Sequence, residues 1–582
     1  MENKLNYILI LFLVFYCLFL ALSNHFLPLN STSLLVAYFG VFFILTTFWG
    51  IFLLAINIVA VSRYNFYNPL FVPLVFYIII GIITNLFREG MNISYHFLYY
   101  LITSSVIYFL FILLLERIFE KSISFSNRSN KSKEQPVMTN GARKKVMVLI
   151  NPIEERIARR LAWPQLAFGI IAKLTPKDIF EIKIIDENDK PFEYIDADLV
   201  GITSFTPAIT RAYQLASIYR EKNIPVIMGG MHVSMLPDEA LNFCDCVVIG
   251  EVENLWEKVL NDFLNNNLQS KYESEFIDID GYVTPDRSVY ENVEYPFASI
   301  ETSRGCPMSC HFCSVSKFYR KSYRQRPIDE VLEELKTIKN RNVAFLDDNI
   351  VGFSKKSEQR ALSLFKGIVE NDLKLNWAGQ TSLNVGVNEE LLHWISKSGC
   401  VSLLIGLESL EIDELDNMNK SVNLKYNLAE CVQNFKKYKI PVVYSIIMGM
   451  ENETEEGLLK KIEKLRQSKM DCVQINNLTP YPGTKLFEDL EKRDRLLYKN
   501  FPEDWAKYIW LKPTIKFSQI SQNDYVKTLQ KGVKRLISFP FLLKTYFSAF
   551  IKTKSIKYAI INYAGIASSR ESYLYILKQK VK

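Results

Sequence analysis

Glu301-Thr-Ser-Arg-Gly-Cys306-Pro-Met-Ser-Cys310-His-Phe-Cys313 is the stretch on which the reading of this chain turns. Three cysteines at C-x3-C-x2-C, in one loop after an apolar stretch, can converge on a single metal site. Zinc normally takes four closed ligands, and His311 lies inside the loop, where clean tetrahedral closure is awkward. Three thiolates on a [4Fe-4S] cube instead leave one iron open. An open iron can chelate the amino and carboxylate groups of S-adenosylmethionine (SAM), and electron transfer then breaks the sulfonium C–S bond. The other soluble-region cysteines (Cys244, Cys246, Cys400, Cys431, Cys472) read as small buried hydrophobes.

Short apolar runs continue downstream: Val343–Asp348, Asn376–Gln380, Val401–Ile405, Val442–Met448 and Val473–Asn477. Helical patterns such as Ile328–Asn340 and Asn388–Ser398 lie between them. Repeated β-α units with polar strand ends predict a (partial) β/α barrel with chemistry at its carboxyl-end rim. Upstream, Lys145–Ile150, Glu181–Ile185, Asp198–Thr203, Pro225–Met228 and Cys246–Ile249 suit parallel strands buried on both faces. They predict a Rossmann-like doubly wound sheet, whose ligand belongs beyond the carboxyl ends of its strands.

Two sets of motifs carry a family resemblance. The cysteine triad with Phe312 before its third member, followed by FLDDN, GLES and LTPYPGT, resembles a radical SAM domain. GITSFTP, GGMH and VVIGEVE resemble the cobalamin-binding domain that precedes it in one enzyme family. The resemblance covers roughly residues 145–515 and implies three cofactors: a [4Fe-4S] cluster, SAM and cobalamin. It implies Cys306, Cys310 and Cys313 as metal ligands at the catalytic centre, with Phe312 beside them. Glu408 and Ser409 are its candidates for holding SAM, and Asp347 and Asp348 face SAM or substrate unless they merely cap the next helix. Ser204, Thr206, Gly229, Gly230, Gly250 and Glu251 are its candidates for cobalamin. No Asp-x-His-x-x-Gly loop is present, so cobalt lacks a His ligand of that type, and His232 reads as a polar residue at a strand end.

Composition divides the chain further. Only seven charged side chains (Glu2, Lys4, Arg63, Arg88, Glu89, Glu116, Arg117) fall in residues 1–118. Apolar runs at 6–23, 34–61, 69–87 and 97–115 each approach or exceed the roughly 20 residues that cross a bilayer core. They predict a four-span transmembrane anchor over 1–118, and the lysines and arginines after the last run place the catalytic domains on the cytoplasmic side. The expected division is then a linker at 119–144, the cobalamin-binding domain at 145–268, a connector at 269–294, the barrel at 295–515 and a basic helical region at 516–582. From Lys531 to Lys582, eleven Lys/Arg face one acidic residue, Glu571. Interleaved with aromatics, that excess reads as contact with membrane lipids rather than nucleic acid.

The resemblance implies a membrane-bound radical SAM enzyme that functionalises an unactivated carbon, by methyl transfer in some members of the family. The anchor and tail suggest a lipid-like substrate, and the chemistry needs a reductant such as flavodoxin or ferredoxin. Ring closure or rearrangement without net methylation is the alternative enzyme reading. A membrane-tethered cobalamin or redox sensor and a zinc-stabilised scaffold are the non-enzyme readings.

Overall fold

The structure, a computed structural model, describes residues 143–536 except 154–162, 276–278, 280–281, 294 and 471. Two six-stranded parallel sheets organise it. The first comprises β1 (Lys145–Asn151), β2 (Phe180–Asp186), β3 (Leu199–Thr203), β4 (Val226–Gly229), β5 (Cys246–Ile249) and β6 (Lys271–Glu273). Its strand order is β2-β1-β3-β4-β5-β6. The order reverses between β1 and β3, which is where a doubly wound sheet opens a crevice.

The apolar runs decide this layer. In β1, Val146, Val148 and Ile150 enter one core while Met147 and Leu149 enter the other, the two-residue period of a strand covered on both sides. The helix Ile209–Arg220 packs Ile209, Ala212, Leu215 and Ala216 against the first of these cores.

The second sheet uses β7 (Ala298–Ile300), then β10 (Asn342–Phe345), β11 (Asn376–Thr381), β12 (Cys400–Glu408), β13 (Val442–Met448) and β14 (Cys472–Asn477). Its order is β14-β13-β12-β11-β10-β7, so it is an open, partial barrel. Between β7 and β10 lies an antiparallel hairpin, β8 (Ser303–Gly305) with β9 (Tyr323–Gln325). The hairpin brackets the three cysteines. Trp377, fully buried, stacks on Phe365 with ring centroids 5.0 Å apart and anchors the barrel core.

One apolar core runs through both layers. It takes Val148 and Val200 from the first sheet, Ile447 and Leu478 from the second, and Trp505, Tyr508 and Ile515 from the segment after the last strand. That segment straps the layers together. Trp505 is 1% exposed, stacks on Phe501 at 3.8 Å and donates from Nε1 to Glu239 of the first layer at 2.9 Å. Trp505→Ala is expected to cost about 3–5 kcal/mol, as buried Trp truncations do. The check is the urea midpoint of the purified protein, with Trp505→Phe losing clearly less.

The fold corrects the sequence expectation in one respect. Among the described residues no helix is long and apolar enough to cross a membrane. The longest described helix, Lys355–Glu370, has 16 residues and carries four lysines and arginines, short of the roughly 20 apolar residues a span requires. The transmembrane part of the expected fold class does not stand. Neither does the integral-membrane, cytoplasmic-face localisation. The four apolar runs, and the basic tail beyond residue 536, lie outside the described residues.

Candidate functional site

The cysteine loop is launched by a pinned strand. Asp347, fully buried, accepts from Thr302 N (3.1 Å), Thr302 Oγ1 (2.6 Å) and Ser303 Oγ (2.6 Å). Arg360 Nη2 donates to Thr302 O at 2.8 Å from the other side. Asp347 therefore neither caps a helix nor opens toward a ligand: it fixes the approach to Cys306. Its neighbour Asp348 accepts from Gly305 N at 3.2 Å. Burial first, then Glu301 and Asp347, push its carboxyl up to about 7. Gly305 has φ +82°, and a side chain there would collide with the Ser322 carbonyl.

The loop is braced across its far side as well. His311 N donates to Met418 O (3.1 Å), and its ring Nδ1 lies 2.9 Å from Asn417 O. Asn419 Nδ2 donates to Ser309 O at 2.9 Å. Phe312 is half-buried against the core shared by the two layers. Burial pushes all three thiols up, Cys313 to about 12, while Lys420 pulls Cys306 and Cys310 the other way.

Lys420 was not visible in the sequence reading. It is nearly buried and contacts Glu408 Oε1 at 3.3 Å. Burial alone would lower its pKa, but Glu408 and the thiols more than offset that, and the net shift is upward. The ammonium stays charged. Glu408 is itself unusual: a register shift in β12 re-aims it, and it holds φ +66°. Gly406 makes room, since a Cβ there would meet Glu408 Oε1 at 2.5 Å. Ser409 turns away from this group, donating to Glu414 Oε2 at 2.5 Å.

Among the described residues, no three of His, Cys, Asp and Glu are gathered as a single metal ion requires. A zinc ion with bonds of about 2.3 Å would hold thiolates about 3.8 Å apart. Cys310 is buried and Cys306 and Cys313 are partly exposed, and the three are not gathered into such a group, which suits the wider spacing of a cluster.

The first sheet presents its strand ends beside this loop. Gly230 has φ +96°, and a Cβ there would lie 2.7 Å from Ser204 O and 2.8 Å from Thr203 Oγ1. Ser234, missed in the sequence, links Gly230 to Gly250: its Oγ donates to Gly230 O (2.9 Å) and accepts from Gly250 N (3.0 Å). Ser234 thus ties the Gly230 and Gly250 strand ends together, with Gly229 ending β4 next to them. Ser204 Oγ donates to Phe205 O at 3.1 Å. Thr206 meets His232 Nδ1 at 3.1 Å, and His232 Nε2 lies 3.3 Å from Glu239. Both His232 nitrogens are occupied and the ring is 1% exposed, so it is a buried brace rather than a metal ligand. Glu251 pairs with Arg304 and Arg324. The helix Met231–Met235, which begins after Gly230, packs against Ser314–Phe318, which begins after Cys313.

The Radical SAM superfamily profile matches residues 300–465, and the B12 binding domain profile matches residues 157–260. Bacteriochlorophyllide d C-12(1)-methyltransferase of Chlorobaculum tepidum is 31% identical over 58% of this chain and 75% of its own length. The chain belongs to the radical SAM enzymes that carry a B12-binding domain. Hopanoid C-2 methylase of Rhodopseudomonas palustris is 26% identical, over 60% of this chain and 68% of the methylase. An anaerobic magnesium-protoporphyrin IX monomethyl ester cyclase of Rubrivivax gelatinosus is 25% identical, over 59% and 67%. Among solved structures, the cobalamin-dependent SAM radical enzyme OxsB, with aqua-cobalamin and SAM bound, superposes with TM-score 0.54 at 14% identity, over 74% of this chain and 72% of OxsB. The methyltransferase TsrM of Kitasatospora setae gives 0.54 at 13%, over 74% of this chain and all of TsrM. These likenesses show the same two-layer fold. A radical SAM enzyme of this family uses a [4Fe-4S] cluster, SAM and cobalamin, and it needs a reductant. The sensor and zinc-scaffold readings fall away.

Proposed function

We propose that the protein is a cobalamin-dependent radical SAM methyltransferase acting on an unactivated carbon of an apolar, lipid-like substrate. The observation that carries this reading is the helix pair Met231–Met235 and Ser314–Phe318, which puts the Gly230 cradle beside the cysteine loop. When bound, the cluster supplies the electron that cleaves SAM, and the corrinoid supplies the methyl group.

The chain's own residues set the conditions. Cys306, Cys310 and Cys313 hold the cluster, and Phe312 keeps one side of the loop dry. Lys420 offers a buried positive charge to an anionic group such as the SAM carboxylate, with Glu408 keeping it in place. Asp347 and Arg360 fix the loop rather than contacting the ligand. Gly229, Gly230 and Gly250 let the corrinoid approach backbone, with Ser204 and Thr206 at the neighbouring strand end. In this reading 145–268 is the cobalamin layer and 295–515 the SAM layer, with the connector 269–294 also supplying β6, the last strand of the first sheet.

An apolar substrate fits the connection after β12. Ile412 and Leu424, two of the four large apolar side chains exposed among the described residues, lie on the stretch that carries Glu408 and Lys420. Relatives named for hopanoid and bacteriochlorophyllide methylation point the same way. The cyclase among the relatives makes ring closure the second reading.

The test is methyl-labelled SAM, offered with cobalamin and reductant to separate apolar and polar extracts. Label is expected in an apolar product. Label confined to the polar fraction sinks the lipid-like substrate, and SAM consumption with a product lacking label favours the cyclase reading.

A further inference from the structure

The hairpin that brackets the cysteines sets two arginines side by side. In its antiparallel register Arg304 lies directly opposite Arg324. Like charges directly across a strand pair oppose its formation. Most of the counter-charge comes from the other sheet, at the end of β5, with Glu301 adding one carboxylate from the hairpin's own lead-in. Glu251 reaches both arginines: its Oε1 contacts Arg304 Nη1 at 3.3 Å and also Arg324 Nη2, while its Oε2 accepts from Arg324 Nη1 at 2.9 Å. Glu253 Oε1 takes Arg304 Nη2 at 2.6 Å, and Glu301 Oε2 takes Arg304 Nε at 2.8 Å. Arg304 is 6% exposed and Glu251 8%, so solvent screens little of this.

Both carboxylate oxygens of Glu251 are therefore spent on arginines, although its motif had suggested a cofactor contact. Arg304 stands two residues before Cys306, and Gly250, part of the corrinoid cradle, stands one before Glu251. The ion network thus links the strand end of the first sheet to the cysteine loop through side chains lying one residue from Gly250 and two from Cys306.

We propose that Glu251 and Glu253, with Arg304 and Arg324, are positioning residues: a clamp through which docking of the corrinoid-side strand end orders the cysteine hairpin. None of the four touches a reacting atom. The clamp makes the geometry of the cluster loop conditional on the first sheet, so that SAM cleavage responds to the state of the corrinoid half. This inference rests on the enzyme reading above.

The experiment uses the full chain reconstituted with iron, sulfide and hydroxocobalamin. It compares wild type with Glu251→Gln/Glu253→Gln, Glu253→Gln alone as a milder variant, and Arg304→Lys. Amide exchange over Ser303–Gln325 is expected to quicken about tenfold in the double variant, with β3 and β12 unaffected. Hydroxocobalamin is expected to change wild-type 5′-deoxyadenosine yield by about threefold or more, and the double variant is expected to lose that response while keeping its iron. Arg304→Lys is expected to behave like the double variant, because a single ammonium cannot fork to three carboxylates. Hairpin exchange and corrinoid response equal to wild type in the double variant would overturn the clamp alone, as would wild-type behaviour of Arg304→Lys. A wild type that takes up neither iron–sulfur cluster nor corrinoid overturns the enzyme reading, and the clamp's role with it.

Discussion

Cys310→Ala is expected to leave a folded protein that holds almost no iron and makes no 5′-deoxyadenosine. The side chain is 7% exposed, and alanine fills most of the same small volume, so the fold has little reason to fail. The chemistry has every reason to. A cluster held by three thiolates has one open iron; with two it has two, and water or thiol in solution can strip it. Anaerobic reconstitution should give about four irons per wild-type chain and well under one in the variant. SAM cleavage on reduction should fall by about a thousandfold or more, since without the cluster nothing relays the reductant's electron to SAM. Cys431→Ala is the matched control. Cys431 is equally free and buried, but it sits against Leu383 and Gly386 on the barrel's outer helices. It should keep both its iron and its activity. Full iron in Cys310→Ala, or equal loss in Cys431→Ala, would refute the assignment of the loop.

Most of the fold could be read from the chain because parallel strands covered on both faces appear as unbroken apolar runs. Val146–Ile150 is such a run, and β1 lies where it predicts. The cysteines were equally plain, since their spacing is local. What stayed hidden is what folding alone brings together. β8 and β9 are three residues each, SRG and YRQ, with no apolar alternation to mark them. Glu251 meets Arg324 across 73 positions, so GEVE looked like a ligand motif when half of it is a counter-charge. Asp347 looked like a strand-end acid, but its three donors come from residues 45 and 44 positions earlier. The N-terminal apolar runs illustrate the opposite error. Hydropathy there suggested a membrane anchor for the whole enzyme, while no described helix has the length and apolarity to support that fold class. Residues 1–118 lie outside the described residues, and an apolar substrate is supported instead by Ile412, Leu424 and the relatives.

Lys420→Met should raise the KM for SAM by about a hundredfold while the cluster remains in place, the scale of losing one buried charged hydrogen bond. The lysine stem packs much as methionine would, so the change removes charge more than volume. That charge is positioned for use. Its carboxylate partner makes a single contact at 3.3 Å rather than a fork, and its field reaches Cys306 and Cys310. An arriving carboxylate finds a cation already desolvated and held, with little reorganisation left to make. The variant carries a confounding effect, because Glu408 would be left buried without its partner, and breaking such a pair destabilises by about 3–5 kcal/mol. Lys420→Met/Glu408→Gln separates the two. Removing both charges should restore most of the lost stability, read by the urea midpoint, yet leave SAM binding as weak as in the single variant. If the double variant instead recovered wild-type affinity for SAM, Lys420 would be a structural counter-ion to Glu408 and no part of the ligand site.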